Sequence, residues 1–429
     1  MPSILYALDK KHGPSLSRRV VGGVVHRMRD RFWRAGGAFL LPLAVGACAD
    51  GPANPAVASV VITSSSLPSG VRATPYAATL TAAGGSAPYT WSVESGALPT
   101  GLTLSSSGTI AGTPAAGGVY TFTGRVSSGS QSDTRDLAIL ISDPPRLRWP
   151  LEGANGVDWV VNNYVDLDPT GRLRDYTGST GGSAKTYDTH AGVDIDVPNF
   201  RWMDSSLSPV HAAAAGVVTA THDGEWDRNM SCTGVANMVT IRHADGSSAI
   251  YYHFKRGSLT VAVGQSVMMG DRIGLVGSSG CSTAPHLHFE LRDASNRVID
   301  PFQSGLWIDP PPYDAPLHFM DGVLHNGAFT PQNFAVGLTD PAPNVASLPS
   351  GATLGFGAIL ANGVAGDEVR VVVRNPANTA TLDLPLVFTG ARRHGFYYWN
   401  APLAAVGRWT VSVYINGVLV RTYPVTVTP

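Results

Sequence analysis

From residue 58 onward the chain is written in short runs that alternate apolar and polar residues, cut every few positions by Gly, Pro or Ser. Strands joined by tight turns satisfy such a pattern, and long helices do not. Gly and Pro together fill 79 of the 429 positions, 48 and 31 respectively, while 44% of the chain is hydrophobic. The composition predicts a mainly β protein with enough apolar surface for folded cores. At about 100–200 residues per domain, the chain holds two to four of them. Charge excludes one class of partner: 30 Lys+Arg stand against 31 Asp+Glu, with only 14% of residues charged. That leaves no basic stripe for a nucleic acid.

The start differs in kind. Lys10, Lys11, Arg18, Arg19, Arg27, Arg29, Arg31 and Arg34 crowd the first 47 residues against only Asp9 and Asp30. An apolar run of ten residues, Ala38 to Ala47, follows; it is too short for a bilayer core of about 30 Å and suits the core of a signal peptide. Val45-Gly46-Ala47-Cys48 resembles a bacterial lipobox. That resemblance implies export, lipidation of Cys48 at the mature N-terminus, and a chain anchored in a membrane of the bacterial cell envelope. An ordinary signal peptide followed by secretion is the alternative, and Met28 offers a second start that keeps the whole signal. Removing residues 1–47 takes eight of the 30 basic and two of the 31 acidic residues, leaving 22 against 29, a net charge of −7. With Cys48 engaged, the remaining thiols are Cys232 and Cys281, and an exported protein is expected to pair them.

Residues 48–57 are small and proline-bearing, as a tether requires. Residues 58–143 contain Pro88-Tyr-Thr-Trp91, Leu98-Pro-Thr-Gly-Leu-Thr-Leu104, Gly108-Thr-Ile-Ala-Gly-Thr-Pro114 and Gly118-Val-Tyr-Thr-Phe122. They resemble the immunoglobulin-like modules of exported bacterial proteins, which implies a β-sandwich serving as spacer or adhesive unit. Residues 146–305 hold seven of the 12 histidines, together with short β-branched runs that predict an antiparallel sheet. A Pro-rich linker is expected at 306–316 and a second sandwich at 317–429, where Asn416-Gly417 signals a hairpin turn.

Two histidine clusters stand out, His190-Ala-Gly192-Val-Asp194 and His286-Leu-His288-Phe-Glu290. Strand alternation puts His286 and His288 on one face, with Leu287 and Phe289 on the other. A fully extended His190–Asp194 pair would lie about 13 Å apart, so sharing an ion requires a bend, which Gly192 can supply. Two imidazoles and one carboxylate, with a position left open, make the donor pattern of a catalytic zinc. Glu290 shares the face of His288 and either orients a ligand imidazole or ends in solvent.

In order along residues 185–300, His-x-Gly-x-Asp, Tyr251-Tyr252-His253-Phe254 and His286-Leu-His288 resemble the lysostaphin/LytM-type zinc metallopeptidases. The resemblance implies one Zn2+ per chain on His190, Asp194 and His288, with His253 and His286 as the two catalytic histidines. Val160–Val165, Tyr187–His190 and Pro198–Met203 look most like the elastolytic and staphylolytic members. Hydrolysis of peptide bonds in peptidoglycan stems or cross-links is the implied activity, with peptidoglycan as partner. The alternatives are a secreted bacteriolytic or elastolytic enzyme for glycine-rich substrates and a wall-binding scaffold; the intact five-residue set argues against the scaffold. Tyr187, Tyr251 and Tyr252 are candidates for substrate or oxyanion contacts, whereas His211, His222 and His243 fall outside the motif and are expected to be structural. The expected architecture is mainly β, an antiparallel-sheet metallopeptidase domain flanked by two immunoglobulin-like β-sandwich modules.

Overall fold

The computed structural model describes residues 58–205 and 208–429, so the signal segment, Cys48 and the tether lie outside the described residues. Among the described residues no helix is long and apolar enough to cross a membrane. Residues 58–143 form a unit of their own. Its four-stranded sheet runs in the order Gly70–Val71, Gln131–Ser142, Gly118–Ser128, Thr90–Gly96, and a three-stranded sheet joins Tyr76–Thr79, Thr109–Gly112 and Leu102–Leu104. Alternation along Gly118–Ser128 buries Phe122, Gly124, Val126 and Ser128, and the apolar pair Phe122 and Val126 meets Trp91, Ile110 and Ile139 in the core.

Residues 144–429 form a second unit. Its larger sheet contains β1 (Val160–Asn163), β2 (Val193–Asp196), β3 (Gly216–His222), β4 (Met238–Arg242), β5 (Ser248–Tyr252), β6 (Ser266–Val267), β7 (His286–Arg292) and β8 (Val298–Ile299). The spatial order is β1-β2-β7-β5-β4-β3-β6, with β8 beside β7, and every pairing is antiparallel. Period-two alternation divides this sheet into two faces. Val193, Ile195, Val239, Ile241, Ala249, Tyr251, Leu287, Phe289 and Leu291 fill a core against Phe254 and Trp307. Each large side chain so buried contributes roughly 1.5–3 kcal/mol. Asp194, Asp196, His286, His288 and Glu290 occupy the alternate positions and line the other face.

The stretch expected to be a linker is packed instead. Leu306 and Trp307 are buried in the core, Ile308 N donates to Leu147 O, and Tyr313 OH donates to Asp175 Oδ2. Prolines 310–312 lie beside Tyr176 and Phe302. Aromatic rings on both sides give the proline rings apolar partners, so the run continues the fold rather than interrupting it.

The C-terminal part is a sandwich. One sheet joins β9 (His318–Asn326), β10 (Thr353–Gly363) and β11 (Arg392–Pro402), and a five-stranded sheet includes Gly407–Ile415 and Val418–Thr428. Asn416 and Gly417 take φ of 47° and 80°, the double positive φ that a tight two-residue hairpin turn requires. This sandwich is fused to the larger sheet. Val160 of β1 packs with Met320, Val323, Phe334, Leu338 and Phe396, while Asn199 and Arg201 both donate to Asp321 Oδ2.

Asp300 lies beside the core of the larger sheet with one oxygen, Oδ1, accepting from the N–H groups of Phe302 and Gln303, while Oδ2 is buried without a partner among the described residues. Burial, opposed by those two bonds and reinforced by Asp175, pushes this carboxyl up to about 6 from 3.8. A folded value above the unfolded one stabilises at low pH, and that contribution is lost as pH rises through about 6. Relative to Asp300→Asn, the wild-type unit should lose about 2–3 kcal/mol of stability between pH 4 and pH 7. Urea denaturation at the two pH values checks this, and a pH-independent difference would contradict it.

Candidate metal centre

The register of the sheet assembles the site. Asp194 on β2 stands directly across from His288 on β7, and Asp196 across from His286. His190 reaches the same spot from a turn in which its N–H donates to Tyr187 O and Thr189 takes φ 63°. The chain then bends at Gly192 before entering β2. Glycine is also needed there for clearance, since a Cβ would lie 2.6 Å from both His288 Nε2 and Phe289 O.

Three donor atoms converge. His190 Nε2 lies 3.2 Å from both Asp194 Oδ1 and His288 Nδ1, and His288 Nδ1 lies 2.7 Å from Asp194 Oδ1. A tetrahedral ion about 2.1 Å from each donor requires separations of about 3.4 Å, so this buried trio fits a divalent cation with little movement. The groups behind the donors fix which atom faces inward. His190 Nδ1 donates to Tyr164 O at 2.7 Å, leaving Nε2 as the inward lone pair. His288 Nε2 pairs with Glu290 Oε1 at 3.1 Å, leaving Nδ1 inward, and Arg292 holds the other oxygen of Glu290. Asn163 Nδ2 donates to Asp194 Oδ2 at 3.0 Å, which leaves Oδ1 for the ion.

Two more imidazoles stand beside the trio. His286 Nδ1 donates to Ala284 O at 2.8 Å, and its Nε2 lies 3.6 Å from Asp194 Oδ1. His253 Nδ1 donates to Ser279 O at 2.6 Å, and its ring centroid lies 4.5 Å from that of His286. Simple alternation after Tyr252 would send His253 to the core side. It leaves β5 with φ 69°, a left-handed conformation that a non-glycine residue adopts at a cost, and thereby joins the site. Burial, followed by the neighbouring His286 and His288, holds His253 well below the usual histidine value. The disulfide Cys232–Cys281 tethers the stretch between Ser279 and Ala284 to Cys232.

Tyr187 and Tyr252 also reach the site, at 4.3 Å from the His190 ring and 5.7 Å from the His288 ring between centroids. Tyr251 does not. Its register partner is Phe289 on the apolar face, its ring is wholly buried, and its hydroxyl accepts from Ala213 N. The expectation of a substrate contact there is corrected by the same alternation that places Tyr252. Glu290 is the imidazole orienter rather than a solvated strand end, because its strand position is buried. His211, His222 and His243 bond elsewhere, to Gly270 O, Glu225 and Ala215 O. Sequence reasoning missed Asn162 and Asn163. Two adjacent asparagines in the apolar run Val160–Val165 were the available signal, and a register shift in β1 at this point aims both at carboxylates of β2.

Burial alone would lower the pKa of His288, but its bonds to Asp194 and Glu290 outweigh it and raise the value to about 9. Without an ion, His288 therefore carries a proton at neutral pH, donating from both ring nitrogens. An incoming cation must displace that proton. Binding of Zn2+ to the metal-free chain at pH 6.5 should release about one proton, and apparent affinity should fall about tenfold per pH unit of acidification. Calorimetric titration in buffers of different ionisation enthalpy measures the release directly; none would mean that His288 is neutral in the empty site.

Comparison with known proteins follows this geometry. Residues 188–301 match the model of Peptidase family M23, and residues 58–142 match the model described as "Putative Ig domain". The DD-carboxypeptidase/endopeptidase Mpg of Neisseria meningitidis is 38% identical over 107 residues, covering 25% of this chain and 21% of the Neisseria protein. The peptidoglycan DD-endopeptidase ShyA of Vibrio cholerae is 39% identical over 102 residues, covering 24% of this chain and 20% of that protein. Among solved structures, the catalytic domain of the M23 protein EnpA from Enterococcus faecalis aligns at 27% identity and a TM-score of 0.25, covering 36% of this chain and 96% of that one. The chain spans about a fifth of the length of the curated relatives it matches. The segment that matches the model of Peptidase family M23, residues 188–301, holds His190, Asp194, His253, His286 and His288.

Proposed function

We propose that this chain is a zinc-dependent endopeptidase that hydrolyses peptide bonds in peptidoglycan stems or cross-links. The observation that carries this reading is the convergence of His190, Asp194 and His288 beside two further imidazoles whose outer nitrogens are already engaged. Imidazole and carboxylate donors with no cysteine among them suit an open, catalytic zinc site. A zinc ion there supplies Lewis-acid polarisation of the scissile carbonyl and makes water nucleophilic at neutral pH. His253, neutral because of its burial, presents Nε2 as a proton acceptor. His286 presents Nε2 beside Asp194 Oδ1 and is placed to hold the reacting water or to stabilise the oxyanion. Tyr187, 43% exposed over the His190 ring, offers an edge against which a substrate backbone can lie. Peptidoglycan as substrate is supported by what ShyA is named for.

His288→Ala should abolish stoichiometric zinc and activity together. His253→Ala and His286→Ala should keep zinc and lose about 10²–10⁴-fold in turnover. Zinc content, with mass spectrometry of muropeptides released from purified peptidoglycan, checks both; full zinc in His288→Ala, or metal loss in the other two, would reverse the assignment.

The signal, apolar run and Cys48 support an anchor in the cell envelope. Lipoproteins so anchored carry more than one chain, so wild-type protein should require detergent for extraction, whereas Cys48→Ser should stay uncleaved or become soluble. Identical aqueous partitioning of the two would favour secretion instead.

A further inference from the structure

The metal ligands share their face of the sheet with a second buried carboxylate that the chemistry above does not use. Asp196 lies two residues after Asp194 on β2, so both side chains point the same way. Its partner across β7 is His286, as His288 is the partner of Asp194. Directly opposed residues of an antiparallel pair hold their Cβ atoms about 5 Å apart. The Asp196 carboxylate therefore stands next to the imidazole that faces Asp194 Oδ1 at 3.6 Å.

Asp196 is 3% exposed, and a carboxylate so buried needs charged or polar donors around it. Asn162 Nδ2 of β1 donates to Oδ2 at 3.0 Å. The second donor comes from outside the M23 domain, where His394 on β11 of the C-terminal sandwich gives its Nδ1–H to the same oxygen at 2.7 Å. His394 is 4% exposed and sits in register with Ala361 of β10, the central strand of the three-stranded sheet. It is thus held by the sandwich while it holds the catalytic sheet.

We propose that His394 is a positioning residue of the metal centre: through Asp196 it fixes the end of β2 and the setting of His286, so the C-terminal sandwich is part of the working site. Without the His394 imidazole, the buried Asp196 side chain has one donor fewer and turns to find another, which disturbs the neighbouring His286 ring. The kinetic consequence rests on the endopeptidase reading; the placement does not.

The test uses the full chain loaded with Zn2+ for kinetics and with Co2+ for visible absorption, each value normalised to folded, metal-bound protein. His394→Ala should lower kcat on cross-linked muropeptides at least tenfold, leave KM within twofold, and shift the cobalt bands. His394→Asn, whose amide can donate from where Nδ1 stood, should recover most of the loss, whereas His394→Gln should not. A kcat within twofold of wild type with unchanged cobalt bands overturns the proposal, as does an Asn variant no better than Gln. If His394→Ala fails to fold, the Asn and Gln comparison decides. If the wild type cleaves no muropeptide, the endopeptidase reading fails by itself, and the cobalt spectra still support or overturn the role of His394.

Discussion

One carboxylate oxygen, Oδ1 of Asp194, lies 2.7 Å from His288, 3.2 Å from His190 and 3.6 Å from His286. Two of those rings stand on β7 and the third lies just before β2, and the pairing of β2 with β7 brings them to one point. A slip of one residue by β7 in that pairing would turn His286 and His288 into the core and bring Leu287 out. The core therefore specifies the site: the apolar residues at alternate positions hold the register on which the ligand geometry depends. The strong local field also explains the ionisation pattern. Although its burial opposes the charge, His190, His288 and His286 hold the Asp194 carboxyl well below its usual value, so the anion persists where a cation is to bind.

Much of this was legible before any coordinates. The short β-branched runs expected in residues 146–305 occur as strands of an antiparallel sheet, Met238–Arg242 among them, because alternation and flanking turn residues agree there. His286 and His288 share a face as period two requires. What alternation alone does not give is whatever departs from that period or acts across long sequence distance. His253 is a member of the site because its backbone breaks the strand, and Asn162 and Asn163 both point inward because β1 is irregular between Val161 and Asn163. Tyr251 lies in the core for the converse reason, since it obeys the alternation that His253 does not. The link from His394 to Asp196 spans 198 positions and leaves no local signature.

The Pro-rich segment shows how composition can mislead about modularity. Prolines imply a stiff spacer only when nothing lies alongside them. Here Tyr176, Phe302 and Tyr313 do, and Lys185 adds a donor from its ammonium to the carbonyl of Tyr313. The sandwich that follows meets the larger sheet through buried apolar side chains and through Asp321, which accepts from Asn199 and Arg201. Such a junction resists hinge motion far more than a flexible connection would.

The outward nitrogens of His190, His253 and His286 all donate to main-chain carbonyls, those of Tyr164, Ser279 and Ala284. The tautomers of three imidazoles are thus written largely into the path of the backbone, with Ser282 Oγ also 3.2 Å from His286 Nδ1. Exchanging the side chain at 164, 279 or 284 leaves those acceptors in place, whereas adding or deleting one residue in either loop moves the carbonyl and frees the ring. The centre should accordingly bear substitution at those three acceptor positions better than a change in the length of either loop.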